Sequence, residues 1–135
     1  MSLSNTAETA VLNQIFVGTA LSWNANTDLW IALYESNPGE AGSAVTGETT
    51  YGSYARVAVS RATGFTVSGD TVSNSGTVTF ITSTAATANL TYAAIVTSAS
   101  GAGTIIVRAL LNNAIPTTIG VQPQFAANAL SFQID

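Results

Sequence analysis

The side chains in this sequence that are able to do acid–base chemistry are almost all carboxylates. The chain has no histidine and no cysteine, and its three basic residues are Arg56, Arg61 and Arg108, so it also has no lysine. Histidine is the commonest general base, and cysteine and lysine are common nucleophiles. Their absence excludes disulfides, thiol catalysis and Schiff-base chemistry. Paired carboxylates remain as the one acid–base route to hydrolysis.

The candidate carboxylates lie mostly in or beside one long loop, where solvated charges are expected. No fixed spacing marks any two of them as a catalytic pair, and no dense run of oxygen ligands suits Ca²⁺. A glycan hydrolase acting through Glu40 or Glu48 is therefore only a third hypothesis. We predict that the protein is not an enzyme and that it has no catalytic residue, no cofactor and no metal ligand. The carboxylates considered are Asp28, Glu35, Glu40, Glu48 and Asp70.

Aromatic residues near amides or a cation offer a second kind of site. Trp23 stands close to two asparagines, and Tyr51 and Tyr54 stand close to Arg56. Aromatic rings beside amides bind sugars, but the same residue types also build cores and subunit interfaces. We expect a core position or a subunit contact for these residues, with glycan binding as the alternative.

The composition indicates a protein that works within an assembly. Only 7% of the residues are charged, against about 25% in an ordinary soluble protein, whereas the chain contains 20 threonines and 14 serines. Monomers usually rely on charge for solubility, so an uncharged surface rich in hydroxyl groups suits a subunit. An extracellular β-domain of similar composition stays open as an alternative.

The charge balance and the hydropathy exclude two classes of partner. The net charge is −4, whereas nucleic acid and anionic membranes both select basic surfaces. No window reaches the roughly 18 apolar residues of a membrane span. The first residues also lack the basic and apolar segments of a signal peptide, so we expect no Sec export.

A helix is predicted over about 5–17, as part of an N-terminal helical arm that covers about 1–18. Asn5 is the expected N-cap, with Glu8 completing a pattern like the capping box, and Gly18 is the expected stop. The apolar face of this helix must pack either on the sheet of its own domain or on a neighbouring subunit. This face consists of Val11, Leu12, Ile15 and Phe16.

After residue 18 the apolar residues recur with the period of β-strands. The segments 29–34, 90–97 and 104–111 are apolar on both faces, which predicts central strands. Pro116 and Pro123 indicate an edge or an irregular stretch. Further strands are predicted at 54–61, at 65–67 and 71–72 around a hairpin tip, at 76–82 with Val78 and Phe80 inward, and at 129–135.

One helix and about eight short strands predict a single, mainly β domain over 1–135. The expected architecture is an antiparallel β-sandwich, similar to a jelly roll. A loop over 36–53 interrupts the strands, and loops of this length are often functional. We expect this loop, like the helical arm, to reach outside the sandwich.

Five segments together resemble a family of small structural proteins of tailed bacteriophages. They read LWIALY at 29–34, NPGEAG at 37–42, GSYAR at 52–56, VSNSGTVTF at 72–80 and FAANALSF at 125–132. Such proteins are often labelled tail-fibre or minor structural proteins, and related small β-proteins serve as capsid decoration subunits. The resemblance covers essentially the whole chain, and it implies a virion component with no catalytic residue.

The first hypothesis is a capsid decoration (cement) protein that is assembled into virions in the bacterial cytoplasm. Its expected partners are the major capsid protein and copies of itself as a dimer or trimer, with no nucleic acid and no membrane. The alternative is a tail, fibre or baseplate component that binds tail proteins or a host surface glycan. The predicted interface residues are Val11, Ile15, Phe16, Trp23, Pro38, Glu40, Tyr51, Tyr54 and Arg56.

Overall fold

One helix and nine strands form the fold in the computed structural model, which describes residues 3–41, 43–85 and 89–134. This result confirms the mainly β class with one N-terminal helix. The ninth strand arises because two residues after Pro123 pair with β5. The elements are α1 (Asn5–Phe16), β1 (Asp28–Tyr34), β2 (Val57–Ser60), β3 (Phe65–Ser68), β4 (Thr71–Asn74), β5 (Val78–Thr79), β6 (Asn89–Val96), β7 (Ile105–Pro116), β8 (Gln124–Phe125) and β9 (Ser131–Gln133).

The strands form three antiparallel sheets with the orders β2-β1-β6-β7, β3-β4-β9 and β5-β8. The predicted central positions of β1 and β6 are confirmed, since each has a neighbour on both sides. The prediction that β7 is central was wrong, because β7 lies at the edge of its sheet. Its outer side is covered at one end by the N-terminal segment, where Leu3 bridges to Val107 and the Ser4 N–H donates to the Ile106 carbonyl.

One face of the four-stranded sheet packs against both smaller sheets, and this packing makes the sandwich. Ile31 and Leu33 of β1 point into this core, as do Val78 and Phe80, which were predicted to face inward. The last strand is paired as expected for an apolar terminus. The main buried side chains contributed by the smaller sheets and their flanks are Val78, Phe80, Phe125, Leu130 and Phe132.

The opposite face of the four-stranded sheet is buried as well. Ala32 and Tyr34 alternate with the core residues of β1 and join a second cluster, which includes Ala44 from the loop after β1. Side chains alternate across a strand, so a strand covered on both faces must be apolar throughout. The continuous apolar runs of β1 and β6 therefore reflect a sheet with a cover on each side.

The start of α1 differs from the prediction by one residue. Ser4, rather than Asn5, is the N-cap, because its side chain accepts a hydrogen bond from the Ala7 N–H at 3.2 Å. Pairing with β7 holds Ser4 in an extended conformation, which an N-cap requires. The Ser4 hydroxyl also donates to the Ile105 carbonyl, so the cap fastens the helix to the sheet. Gly18 has a φ of 75° and follows the helix as predicted.

Three predicted strands are shorter than expected, and one of them, predicted at 129–135, contributes only Ser131–Gln133. The segment 54–61 contributes only Val57–Ser60, and the segment 76–82 contributes only Val78–Thr79. In the segment 54–61, Tyr54 and Arg56 hold the loop through their side chains, and they do not extend the strand. The alternation of apolar and polar residues predicts which side chains face inward. It does not predict over how many residues the backbone forms hydrogen bonds with a neighbouring strand.

Asn74 joins β4 to the C-terminal segment. Its side-chain amide donates to the carbonyls of Gly76 at 2.6 Å and Ala126 at 2.9 Å, and its side-chain oxygen accepts from the Leu130 N–H at 2.9 Å. Asn74 is almost completely buried. This one side chain therefore satisfies three backbone groups next to the core.

We predict that Asn74→Ala lowers the free energy of unfolding by about 2–4 kcal/mol, because buried backbone groups lose their partners. Urea denaturation followed by circular dichroism measures the loss. Asn24→Ala is the matched control at an exposed asparagine, and we expect it to change stability by less than about 0.5 kcal/mol. Equal effects of the two substitutions would contradict this role for Asn74.

Candidate interaction surface

The long segment between β1 and β2 folds back onto the sheet, contrary to the expectation that it reaches outward. Ser43 bridges to Thr104, and the Thr49 N–H donates to the Leu33 carbonyl at 3.0 Å. Ala44 and Thr49 are fully or almost fully buried. The segment is therefore a cover for the second face of the four-stranded sheet.

A buried ion pair fastens this segment. Arg56 donates from Nε to Glu48 Oε1 and from Nη2 to Glu48 Oε2, both at 2.7 Å. Its remaining N–H groups reach the backbone carbonyls of Ser98 and Gly101, each at 2.9 Å, in the turn between β6 and β7. The hydrogen bond to Glu48 raises the pKa of the Arg56 guanidinium above its usual value. A buried charge pair is tolerated when its remaining hydrogen-bonding groups also find partners.

Two tyrosine hydroxyls join this network, and a third, that of Tyr51, bonds to the backbone beside it. Tyr54 donates to Glu48 Oε1 at 2.9 Å and accepts from the Leu33 N–H at 3.0 Å, whereas Tyr34 donates to the Ala44 carbonyl at 2.8 Å. Tyr51 donates to the Ile81 carbonyl at 2.8 Å. Burial raises the pKa of all three phenols.

The aromatic residues that were considered for sugar stacking face inward. Trp23 and Tyr51 are 6% and 1% exposed, and the half-buried ring of Tyr54 lies between Tyr51 and Phe80. Sugar stacking requires a free ring face. Trp23 and Tyr51 thus occupy the core position that we expected ahead of glycan binding, and Tyr54 packs against the same core. Arg56 is buried as well, through its contacts with Glu48 and with the turn between β6 and β7.

Glu40 joins the loop to the start of the helix, and Pro38 lies two residues before it in the same loop. Pro38 is buried, and the Glu40 backbone carbonyl accepts from the Asn5 N–H at 3.1 Å. The Glu40 carboxylate pairs with Arg108 of β7, and this hydrogen bond lowers the pKa of Glu40. Glu40 is thus tied to its own chain, although its side chain is still partly exposed.

Four of the five candidate carboxylates each bind a different side chain of the same protein. Glu48 pairs with Arg56 and Glu40 pairs with Arg108. Glu35 accepts from Thr49, and Asp70 accepts from Gln133. Within the described ranges, no three acidic side chains come together in a way that would hold a metal ion.

Arg61 has a role that the sequence did not indicate. Its Nη1 donates to the carbonyls of Trp23, Asn24 and Asn26 at 2.9–3.0 Å, which fixes the turn before β1. The only signal in the sequence is an arginine at the end of a strand. Its partners are backbone groups more than 30 residues away, and no side-chain motif marks them.

The end of α1 is the part of the predicted interface that stays open to a partner. Ala7 is the buried residue of this helix, whereas Val11 is half-buried and Ile15 and Phe16 are 63% and 78% exposed. The hydrogen bonds that join the helix to the sheet and to the loop lie at its first turn, and Leu12, Ile15 and Phe16 of the predicted apolar face stay exposed. We use the term apolar helix end for Leu12, Ile15, Phe16 and Val17.

A contiguous exposed apolar patch next to a rigid sandwich is typical of a subunit that is built into a larger assembly. Comparison of the sequence with known families narrows this class to bacteriophage virion proteins. Residues 2–133 match the family described as Podophage GP4 fiber I protein gp80, and the chain belongs to this family. The resemblance to phage structural proteins is thereby confirmed. No curated protein matches the chain significantly.

In the described part of the chain, α1 is too short and not apolar enough to span a membrane.

We predict that Arg56→Met destabilises the fold by about 3–5 kcal/mol, because Glu48 would be left buried without its partner. Thermal and urea unfolding measure this loss. The double variant Glu48→Met with Arg56→Met is the control, and it should recover part of the stability since no charge stays buried. A loss below about 1 kcal/mol in the single variant would contradict the role of the ion pair.

We also predict a loss of stability at alkaline pH. The folded chain raises the pKa of Tyr34, Tyr51 and Tyr54, so the unfolded chain releases these protons first, from about pH 10. Their contribution to stability is complete below pH 10 and falls as the pH rises further. Absorbance at 295 nm should therefore report the ionisation of these phenols only together with unfolding. Full tyrosine ionisation near pH 10, with native circular dichroism, would contradict this prediction.

Proposed function

We propose that this protein is a structural subunit of a phage fibre on the tail side of the virion, and that it acts by binding rather than by catalysis. The observation that carries the proposal is the match of residues 2–133 to a family of fibre proteins. Because the match spans almost the whole chain, it concerns the complete sandwich together with its helix.

The physical properties of the chain support a role in binding. The apolar helix end is exposed, and only 7% of the residues of this protein are charged. Burial of this helix end against a neighbour therefore requires little desolvation of charged groups, which is the costly step in forming an interface. Glu40 and Glu48, the residues of the hydrolase hypothesis, each form an ion pair with an arginine. The partners that we propose are copies of this chain, as a dimer or trimer, and an adjoining tail protein.

Capsid decoration, the first hypothesis from the sequence, is the second candidate. The exposed helix end supports this candidate too, because an apolar arm on a small sandwich would fit across the joints between capsomers. Its partner would be the major capsid protein. Binding of a host glycan through Trp23, Tyr51 or Tyr54 has no support, since these rings pack inside the chain.

The copy number per virion tests the proposal. Quantitative mass spectrometry of purified particles, with the major capsid protein as the internal standard, should find a handful to a few dozen copies. Antibody labelling in electron micrographs should place these copies on the tail. Hundreds of copies, or one per capsid subunit, would favour the decoration role, and absence from the particles would refute both roles.

A further inference from the structure

An apolar cleft of about 270 Å³ opens between two sheets of the sandwich. The four-stranded sheet contributes Leu29, and the three-stranded sheet contributes Phe65, Val67 and Val72. Ile134, just beyond β9, also lines the cleft. We call this feature the sandwich cleft. Val67 is 73% exposed and Ile134 is 36% exposed, so an incoming group has apolar side chains within its reach.

The size of the sandwich cleft suits an aromatic side chain. An apolar cavity of about 150 Å³ is enough to bind benzene in a protein core. A cleft of 270 Å³ therefore has room for one phenylalanine ring together with part of a neighbouring aliphatic side chain. The apolar helix end has this composition, since Phe16 is flanked by Ile15 and Val17.

Charge complementarity selects the apolar helix end as the occupant. The C-terminus of a helix carries a partial negative charge, and α1 has no basic side chain in its last turn to offset it. Arg61, a cation, lines the sandwich cleft. The other two arginines form ion pairs with Glu48 and Glu40, whereas the described contacts of Arg61 are to backbone carbonyls.

We propose that the apolar helix end of one copy inserts into the sandwich cleft of a second copy, with Phe16 as the central side chain. Within one chain the helix end stays exposed, so it does not fill the cleft of its own domain. Each copy presents one helix end and one cleft, and the contact closes into a dimer or ring or propagates as a filament. The inference deepens the proposed function by assigning surfaces to self-association.

The test uses the full chain with one substitution on each surface. Phe16→Gln removes the ring from the helix end, and Val67→Asp places a charge in the cleft. Each should weaken self-association at least tenfold, because burial of a phenylalanine or valine side chain changes a dissociation constant by about that factor or more. Analytical ultracentrifugation across a range of concentrations measures the change.

Matched controls lie at exposed apolar positions outside both surfaces. Ile119 is 73% exposed, like Val67, so Ile119→Asp controls for the added charge. Leu110→Gln controls for Phe16→Gln. Both controls should self-associate like the wild-type chain, and circular dichroism of all four variants should show the native fold.

Mixing the two defective variants distinguishes this contact from a contact between two helix ends. The Phe16→Gln chain keeps an intact cleft, and the Val67→Asp chain keeps an intact helix end, so an equimolar mixture should form a heterodimer although neither variant associates alone. A monomeric wild-type chain at about 100 μM, undiminished association of the Val67→Asp chain, or a mixture that stays monomeric would each overturn the inference. These results concern purified protein, so they are independent of the copy number and location that test the proposed function.

Discussion

The ion pair between Arg56 and Glu48 is the contact on which the rest of the architecture depends. The central strands of the large sheet are apolar on both faces, so the face that carries Tyr34 needs a cover. That cover is an irregular segment of about twenty residues, whose ordering costs conformational entropy. A bidentate charge pair between Glu48 and Arg56, extended by tyrosine hydroxyls and backbone carbonyls, offsets this cost in the second half of the segment.

The helix is held in a different way, and its exposure follows from that difference. Ser4 caps α1 and pairs with β7, and the Glu40 carbonyl receives the first helical N–H. All of these contacts lie in the first turn. The apolar helix end stays exposed in the later turns, so the chain keeps an anchored helix start beside an uncovered apolar end. Such an arrangement leaves apolar area for a neighbour without weakening the fold of the single chain.

A nearly uncharged chain and an assembled state fit together physically. Ionic groups that enter an interface must shed water, whereas hydroxyl and apolar groups lose less. This protein uses two of its three arginines within its own fold as ion pairs, and the third fastens a turn. The surfaces that remain therefore carry few charged groups in this member of a phage fibre family.

The sequence by itself determined the local structure: the helix near 5–17, the strands at 29–34 and 90–97, the hairpin around residue 69 and the inward direction of Val78 and Phe80. These features depend on hydrophobic periodicity and on short-range turn preferences, which can be recognised in a single sequence. Only the tertiary structure decided that β7 is an edge strand, that Tyr51 is buried and that Phe16 is exposed. Whether an apolar side chain is covered depends on the distant segments that pack against it. The local sequence pattern does not predict which segments those are.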